Sequence, residues 1–180
     1  MNLLYVSMRD HALRRWAVLG MVIVTLAVSG CASVSSAFTS LITPSQRPIA
    51  PVWQSLVFSA AGDANLNSPI AVDILFIATP DLQKNFQDLN AAKWFAGREN
   101  ALRSFPEGLR LISLELVPGQ NITIPKAELA KISALQAFVF ANYSTPGDHK
   151  QALALDEPGY VIKLEARAFK VNAVSGNTKP

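Results

Sequence analysis

The residue types that carry most enzymatic chemistry are scarce in this chain of 180 residues, which has one cysteine, Cys31, and two histidines, His11 and His149. A Ser/His/Asp or Cys/His arrangement needs a histidine beside its nucleophile, and a zinc site needs three or four ligands. His149 stands in a Pro-Gly-Asp turn with no companion of either kind, so it reads as a solvated turn residue. Two acids suffice for glycoside hydrolysis, which makes Asp156 with Glu157, and Asp81 with Asp88, the pairs to weigh. The first lies in a turn; the second falls at a helix start and on its polar face. Glu115 and Glu165 alternate with apolar residues, the spacing of cross-strand ion pairs. The chain has neither a phosphate-cradling glycine loop nor a nucleophile elbow. The expectation is a protein that is not an enzyme, with no metal, no cofactor and no small-molecule substrate.

The lone cysteine has a different chemistry. Met1 to Arg15 is the charged start, with Arg9, Arg14 and Arg15, and Trp16 to Val28 is an apolar run broken only by Gly20 and Thr25. This is the charged region and apolar region of a secretory signal, shorter than the ~20 apolar residues of a membrane-spanning helix. It ends in Val28, Ser29 and Gly30, directly before Cys31. The string resembles the bacterial lipobox, which directs a diacylglycerol onto the thiol and, after cleavage, an acyl chain onto the new amine. Residues 1–30 are then a lipoprotein signal peptide, begun at Met1 or Met8, and Cys31 is the lipidation site. Ala32, where an aspartate would retain the protein in the inner membrane, implies the outer membrane and its periplasmic face. One acyl chain holds a protein only marginally, whereas two or more hold it stably. With its thiol consumed, the folded part must hold without a disulfide.

Sixteen basic and thirteen acidic residues give the whole chain +3. Removing the signal leaves 13 against 12, or +1, with no basic patch to suggest nucleic acid. Residues 31–51 are rich in Ser, Thr and Pro and read as a tether, at most ~70 Å when fully extended. Within it Val34, Phe38, Leu41 and Ile42 have helical spacing, consistent with a short helix or with unspecific apolar content.

Residues 52–172 form one domain. Val52–Ala60 has strand length and content, Ala61–Pro69 is a loop, and Ile70–Ala78 is a second strand, which predicts a hairpin. The period then changes from two to nearly four. Thr79 is the expected cap of a helix with Pro80 and Asp81 in its first turn and Leu82, Phe86 and Leu89 as its stripe. Asn90 caps a second helix to about Ser104, with Trp94 and Phe95 read as core; together these make a helical insertion over 79–105. From Leu109 the period returns to two, with a phase slip between Leu111 and Ile112 that suggests a bulge. Val117–Gln120 is a turn, Asn121–Ile124 a short strand, Pro125–Ala130 a helical turn, Leu135–Tyr143 a central strand and Ala152–Asp156 a short one. Tyr160–Val171 reads as one long final strand, and 173–180 as a disordered tail. Seven to eight strands with one helical insertion predict a mainly β protein, a β-sandwich.

The order of lipobox, tether, strand, Asn-rich loop, "SPIAVDILFI", helical insertion with a Trp-Phe pair, "LVPGQ" and a closing run of strands resembles the TssJ (SciN-like) lipoproteins of type VI secretion. The most suggestive pieces are Asn65–Ile77, with Ser68-Pro69 before the strand, and Val117-Pro118-Gly119-Gln120. The resemblance implies a transthyretin-like sandwich that docks the periplasmic C-terminal part of the inner-membrane TssM (IcmF-like) subunit. It places the contact on the loop between the first two strands, here Asp63, Asn65, Leu66 and Asn67; a solvated hairpin loop is the plainer reading. A further alternative is an outer-membrane assembly factor or pilot that offers a sheet edge to a secretin or pilus subunit.

Overall fold

The computed structural model describes residues 47–174. The signal sequence, Cys31, most of the tether and the tail from residue 175 lie outside the described residues. Eight strands fold into two four-stranded sheets: β1 Ser55–Ala60, β2 Ile70–Ile77, β3 Leu109–Leu116, β4 Asn121–Pro125, β5 Gln136–Ala141, β6 Lys150–Leu153, β7 Gly159–Leu164 and β8 Phe169–Ala173. Their orders are β4-β1-β7-β8 and β3-β2-β5-β6. Three right-handed helices accompany them, α1 Pro80–Gln87, α2 Ala91–Ser104 and α3 Lys126–Leu129, and the fourth helical element, Ala64–Asn67, is a left-handed turn between β1 and β2. None of the described helices is long and apolar enough to cross a membrane. The predicted sandwich is therefore present, with its helical insertion.

The core has two layers, because the β2 sheet is covered on both faces. Trp53, Leu56, Phe58, Val72, Ile74, Phe76 and Ile162 fill the space between the sheets. Leu75, Ile77, Phe138 and Phe140 face the other way and meet Leu82, Phe86 and Trp94 from α1 and α2. Trp94 stacks on Phe140 with ring centroids 5.4 Å apart, so it is core as expected. Phe95 is only partly buried, and the Arg98 guanidinium sits over its ring. A carboxylate lies within this layer: Asp73 is fully buried and accepts from Trp94 Nε1 at 2.8 Å, Ser113 Oγ at 2.5 Å and the Arg98 guanidinium at 3.3 Å. The Trp94–Phe140 stack and this polar clasp hold α2 to the sheet.

Four expectations are corrected. β1 and β2 do not form a hairpin: β1 pairs with β4 and β7, whereas β2 pairs with β3 and β5. Period-two alternation fixes which face a strand buries and leaves its partner open. The loop between them crosses the ~10 Å gap between packed sheets. β3 has no bulge, since Ile70↔Leu116 to Ile77↔Leu109 is one unbroken register. The apparent slip arises because Leu109 and Leu111 pack under the helices while Ile112, Leu114 and Leu116 pack between the sheets. The long final strand is two, β7 and β8, paired antiparallel. Glu165 to Ala168 turns the chain there, closed by Glu165 N–H to Ala168 O at 2.9 Å. Finally, Thr79 occupies the N-cap position of α1 as expected but its side chain makes no capping bond, whereas Asn90 Oδ1 accepts from Lys93 N–H at 2.9 Å.

The strands give the sandwich two distinct ends. At one, the root, the described chain begins, Ile49 exchanges hydrogen bonds of 2.8 and 2.9 Å with Ala134, and Val174 N–H reaches Gly159 O at 2.9 Å. At the other, the crown, lie the β1–β2 loop and the β3–β4, β5–β6 and β7–β8 connections. With β2 eight residues long and ~3.3 Å per residue, the ends are roughly 25 Å apart.

Candidate functional site

The crown is organised by its β1–β2 loop. Asn65, Leu66 and Asn67 have φ of +47°, +55° and +62°, a single left-handed turn made by three residues with side chains. Each such residue costs roughly 1–2 kcal/mol, less for asparagine, whose side chain can bond locally. The compensation comes from Asn65, which is buried. Its Oδ1 accepts from Ser144 N–H at 2.8 Å and Ser144 Oγ at 3.0 Å, and its Nδ2 donates to Pro69 O at 2.9 Å. The backbone is tied as well: Asn65 N–H donates to Glu165 O at 3.2 Å and Leu66 N–H to Ala166 O at 3.1 Å. On the other side Gly119 N–H, itself at φ +81°, donates to Ala60 O and Ala61 O, each at 3.1 Å. One loop thus joins three neighbouring connections into a rigid platform.

The latch is worth testing alone. Asn65→Ala removes three side-chain bonds, each about 1 kcal/mol net, and leaves a poor residue in the left-handed region. The expected loss is about 2 kcal/mol of unfolding free energy, read by urea titration, whereas Asn65→Asp keeps the Ser144 acceptor and is expected to lose less.

Of the residues picked from sequence, Asp63, Leu66 and Asn67 are exposed and Asn65 points inward. Leu66 and Asn67 stand on the left-handed turn, and Asp63 precedes it, its carbonyl accepting from Asn67 N–H at 3.3 Å. Two more crown residues were not picked as contact residues from sequence. Val117 is exposed beside Pro118, in a turn whose type was legible while the aim of its side chain was not. Tyr143 Oη donates to Ala168 O at 2.6 Å, fastening the β5–β6 connection to the β7–β8 turn. Burial pushes the Tyr143 phenol up, and the nearby Glu165 charge adds to the rise.

The candidate catalytic acids do not converge. Asp156 and Glu157 sit at the root, Asp81 lies exposed in the first turn of α1 and Asp88 exposed at its C-cap, and Glu165 pairs with Lys170 at 2.8 Å. His149 lies in the β5–β6 connection with its ring 4.6 Å from that of Tyr143 and its Nε2 2.8 Å from Thr145 O. Among the described residues no group of three or more His, Cys, Asp or Glu is placed to hold a metal ion. What the crown offers is therefore a surface, stiffened by hydrogen bonds and carrying apolar tips.

No protein-family model matches the chain, and no curated protein matches it in sequence. Solved structures do resemble it. The Lip protein of Serratia marcescens, a membrane-bound component of the type VI secretion system, is 19% identical with a TM-score of 0.46, over 66% of this chain and 94% of that one. The type VI lipoprotein TssJ1 from Pseudomonas aeruginosa is 20% identical with a TM-score of 0.49, over 70% and 96%. A structure described as the TssM C-terminal domain from EAEC is 17% identical with a TM-score of 0.48, over 67% and 97%. These neighbours are described as parts of a secretion membrane complex and not as enzymes, and at such identities the likeness is one of fold.

Proposed function

We propose that this chain is an outer-membrane lipoprotein of the type VI secretion membrane complex, acylated at Cys31, with its sandwich in the periplasm. In this reading the crown docks the periplasmic C-terminal part of the inner-membrane IcmF-like subunit, TssM. Asp63, Leu66 and Asn67 make the contact and Asn65 positions them. The role is mechanical: lipid holds one side and the crown holds the other.

The observation that carries the reading is Leu66. An exposed leucine at φ +55° is unfavourable twice, for its backbone and for its hydration. Strain of this kind gathers at functional positions. The lipobox-like string and the order of elements support the assignment to type VI secretion, and the names of the solved neighbours agree with it.

The test is substitution, because deleting Ala61–Pro69 would sever the crossing between the sheets. Leu66→Asn suits the left-handed turn better and removes the apolar tip. It is expected to leave the melting temperature equal or higher while cutting recovery of the IcmF-like subunit at least about tenfold. That factor matches the roughly 1.5–3 kcal/mol of a buried leucine. Detergent-extracted wild type and variant would be purified from their own cells and their companions identified. Unchanged recovery of that subunit would sink loop docking, and recovery of a secretin or pilus subunit from both would favour edge-strand pairing.

A further inference from the structure

Six large apolar side chains are exposed among the described residues: Ile49, Val52, Leu66, Phe105, Val117 and Val174. Scattered exposed hydrophobes are ordinary, but these are not scattered. Leu66 and Val117 are at the crown. The other four are at the root, each located by its backbone. Ile49 bridges Ala134, Val52 N–H donates to Leu155 O at 2.9 Å and Val174 N–H reaches Gly159 O. Phe105 ends α2 three residues before Gly108, whose carbonyl receives Ala78 N–H at 2.9 Å. Phe105 also rims a concavity of about 420 Å³ with Leu82 and Pro106.

We infer that the root is a membrane-contact face, which lays Ile49, Val52, Phe105 and Val174 against the headgroup and acyl boundary of the bilayer that anchors the chain. The inference rests on lipidation of Cys31. That cysteine precedes Arg47 by sixteen positions, a length that cannot exceed ~55 Å. The described chain begins at the root, so the root is the part of the domain the tether holds nearest to lipid. Tethering makes the contact intramolecular, and a shallow apolar contact too weak to bind alone becomes populated at the high effective concentration a short linker imposes.

The occupant is a lipid surface on grounds of both shape and charge. The four side chains come from three separate segments, the stretch before β1, the end of α2 and the end of β8, which suits a fluid boundary that needs no matching shape. The root also exposes Arg47, Arg110, Lys126 and Lys131 together with Asp81, Glu107, Glu128 and Asp156, so opposite charges are interspersed and apolar contact must carry the interaction. It is therefore expected to survive high salt, unlike a polybasic contact.

Lipid on Cys31 leaves an introduced cysteine as the only free thiol, which supplies the probe. Full-length protein carrying Val52→Cys, Phe105→Cys, Leu66→Cys or Val117→Cys would be labelled with an environment-sensitive fluorophore. It would then be reconstituted into vesicles of phosphatidylethanolamine and phosphatidylglycerol, with and without shallow nitroxide lipids. Labels at Val52 and Phe105 are expected to shift to the blue and lose about half their emission to the quencher, as for groups 5–10 Å into the interface, while those at Leu66 and Val117 keep theirs. Lipidated protein with equal emission at all four positions would overturn the inference and leave the anchor standing. Protein recovered in the soluble fraction with a free Cys31 thiol would overturn the anchor, and the inference with it.

Discussion

Replacing Asp73 with alanine is expected to lower the unfolding free energy by about 3–5 kcal/mol, the range found when one partner of a buried charged cluster is removed. The carboxylate is fully buried on the helix-facing side of β2 and receives Trp94 Nε1, Ser113 Oγ and Arg98. Without it the indole N–H is left buried and unpaired, which alone costs about 1–3 kcal/mol. The Arg98 guanidinium also loses its ion partner. Arg98→Ala should cost far less, under about 1 kcal/mol, because that side chain is 36% exposed and solvent screens the pair. Thermal melts would show a large drop for the first variant, about 10 °C or more, and a small one for the second. Equal drops would mean that the guanidinium carries the cluster. A change below about 1 kcal/mol for Asp73→Ala would mean that α2 is held by apolar packing alone.

The second large effect is expected at Gly159, where β7 starts beside β1. A Cβ built there would lie 2.6 Å from Ser55 O, a backbone atom that cannot move aside without parting the strands, and the residue stands at φ +156°. Gly159→Val adds backbone strain and overpacking, each about 1–3 kcal/mol. It acts on the first rung of the only parallel pair among the described strands, Ser55↔Gly159. A loss of about 3 kcal/mol or more by urea titration is expected. Gly97→Ala serves as the control, since a Cβ there meets nothing within 4 Å and helix propensity favours alanine by about 1 kcal/mol. Gly159→Val melting with the wild type would show that β1 and β7 can shift to make room.

Much of this architecture was legible because it rests on local patterns. The alternation in Ile70–Ile77, the Asn90 cap and the Pro80 start placed strands and helices within a few residues. Partnership was not legible, since the same alternation serves a hairpin or a crossing, and β1 took β4 and β7 from 60 or more residues downstream in preference to its neighbour β2. The false bulge in β3 has a related cause. A strand covered on both faces carries apolar residues in both parities, and only the helices over its far side show why. At the crown, composition marked Ala61–Pro69 as a loop but could not separate Asn65, which faces inward to Ser144, from Asn67, which faces out. That distinction depends on the β5–β6 connection, almost 80 residues away.

The placement of β1 also decides how tension would run through the molecule. A pull between the tether and the crown loop enters β1 at Ser55 and leaves it at Ala60. It therefore travels along six residues of covalent backbone and does not have to pass through hydrogen bonds or the apolar core to get from one end to the other. β4 and β7 flank that backbone like a sleeve, bound to it on both sides, and the other strands stand out of the line of force. The Asn65 latch then spreads the load to the neighbouring turns at the point where it leaves the strand. Force applied along this axis stretches a peptide chain that is already extended, so the sandwich acts as a stiff link and has little length to give before a covalent limit is reached. A pull between the described termini, both at the root, would instead peel strands from the sheet one hydrogen bond at a time.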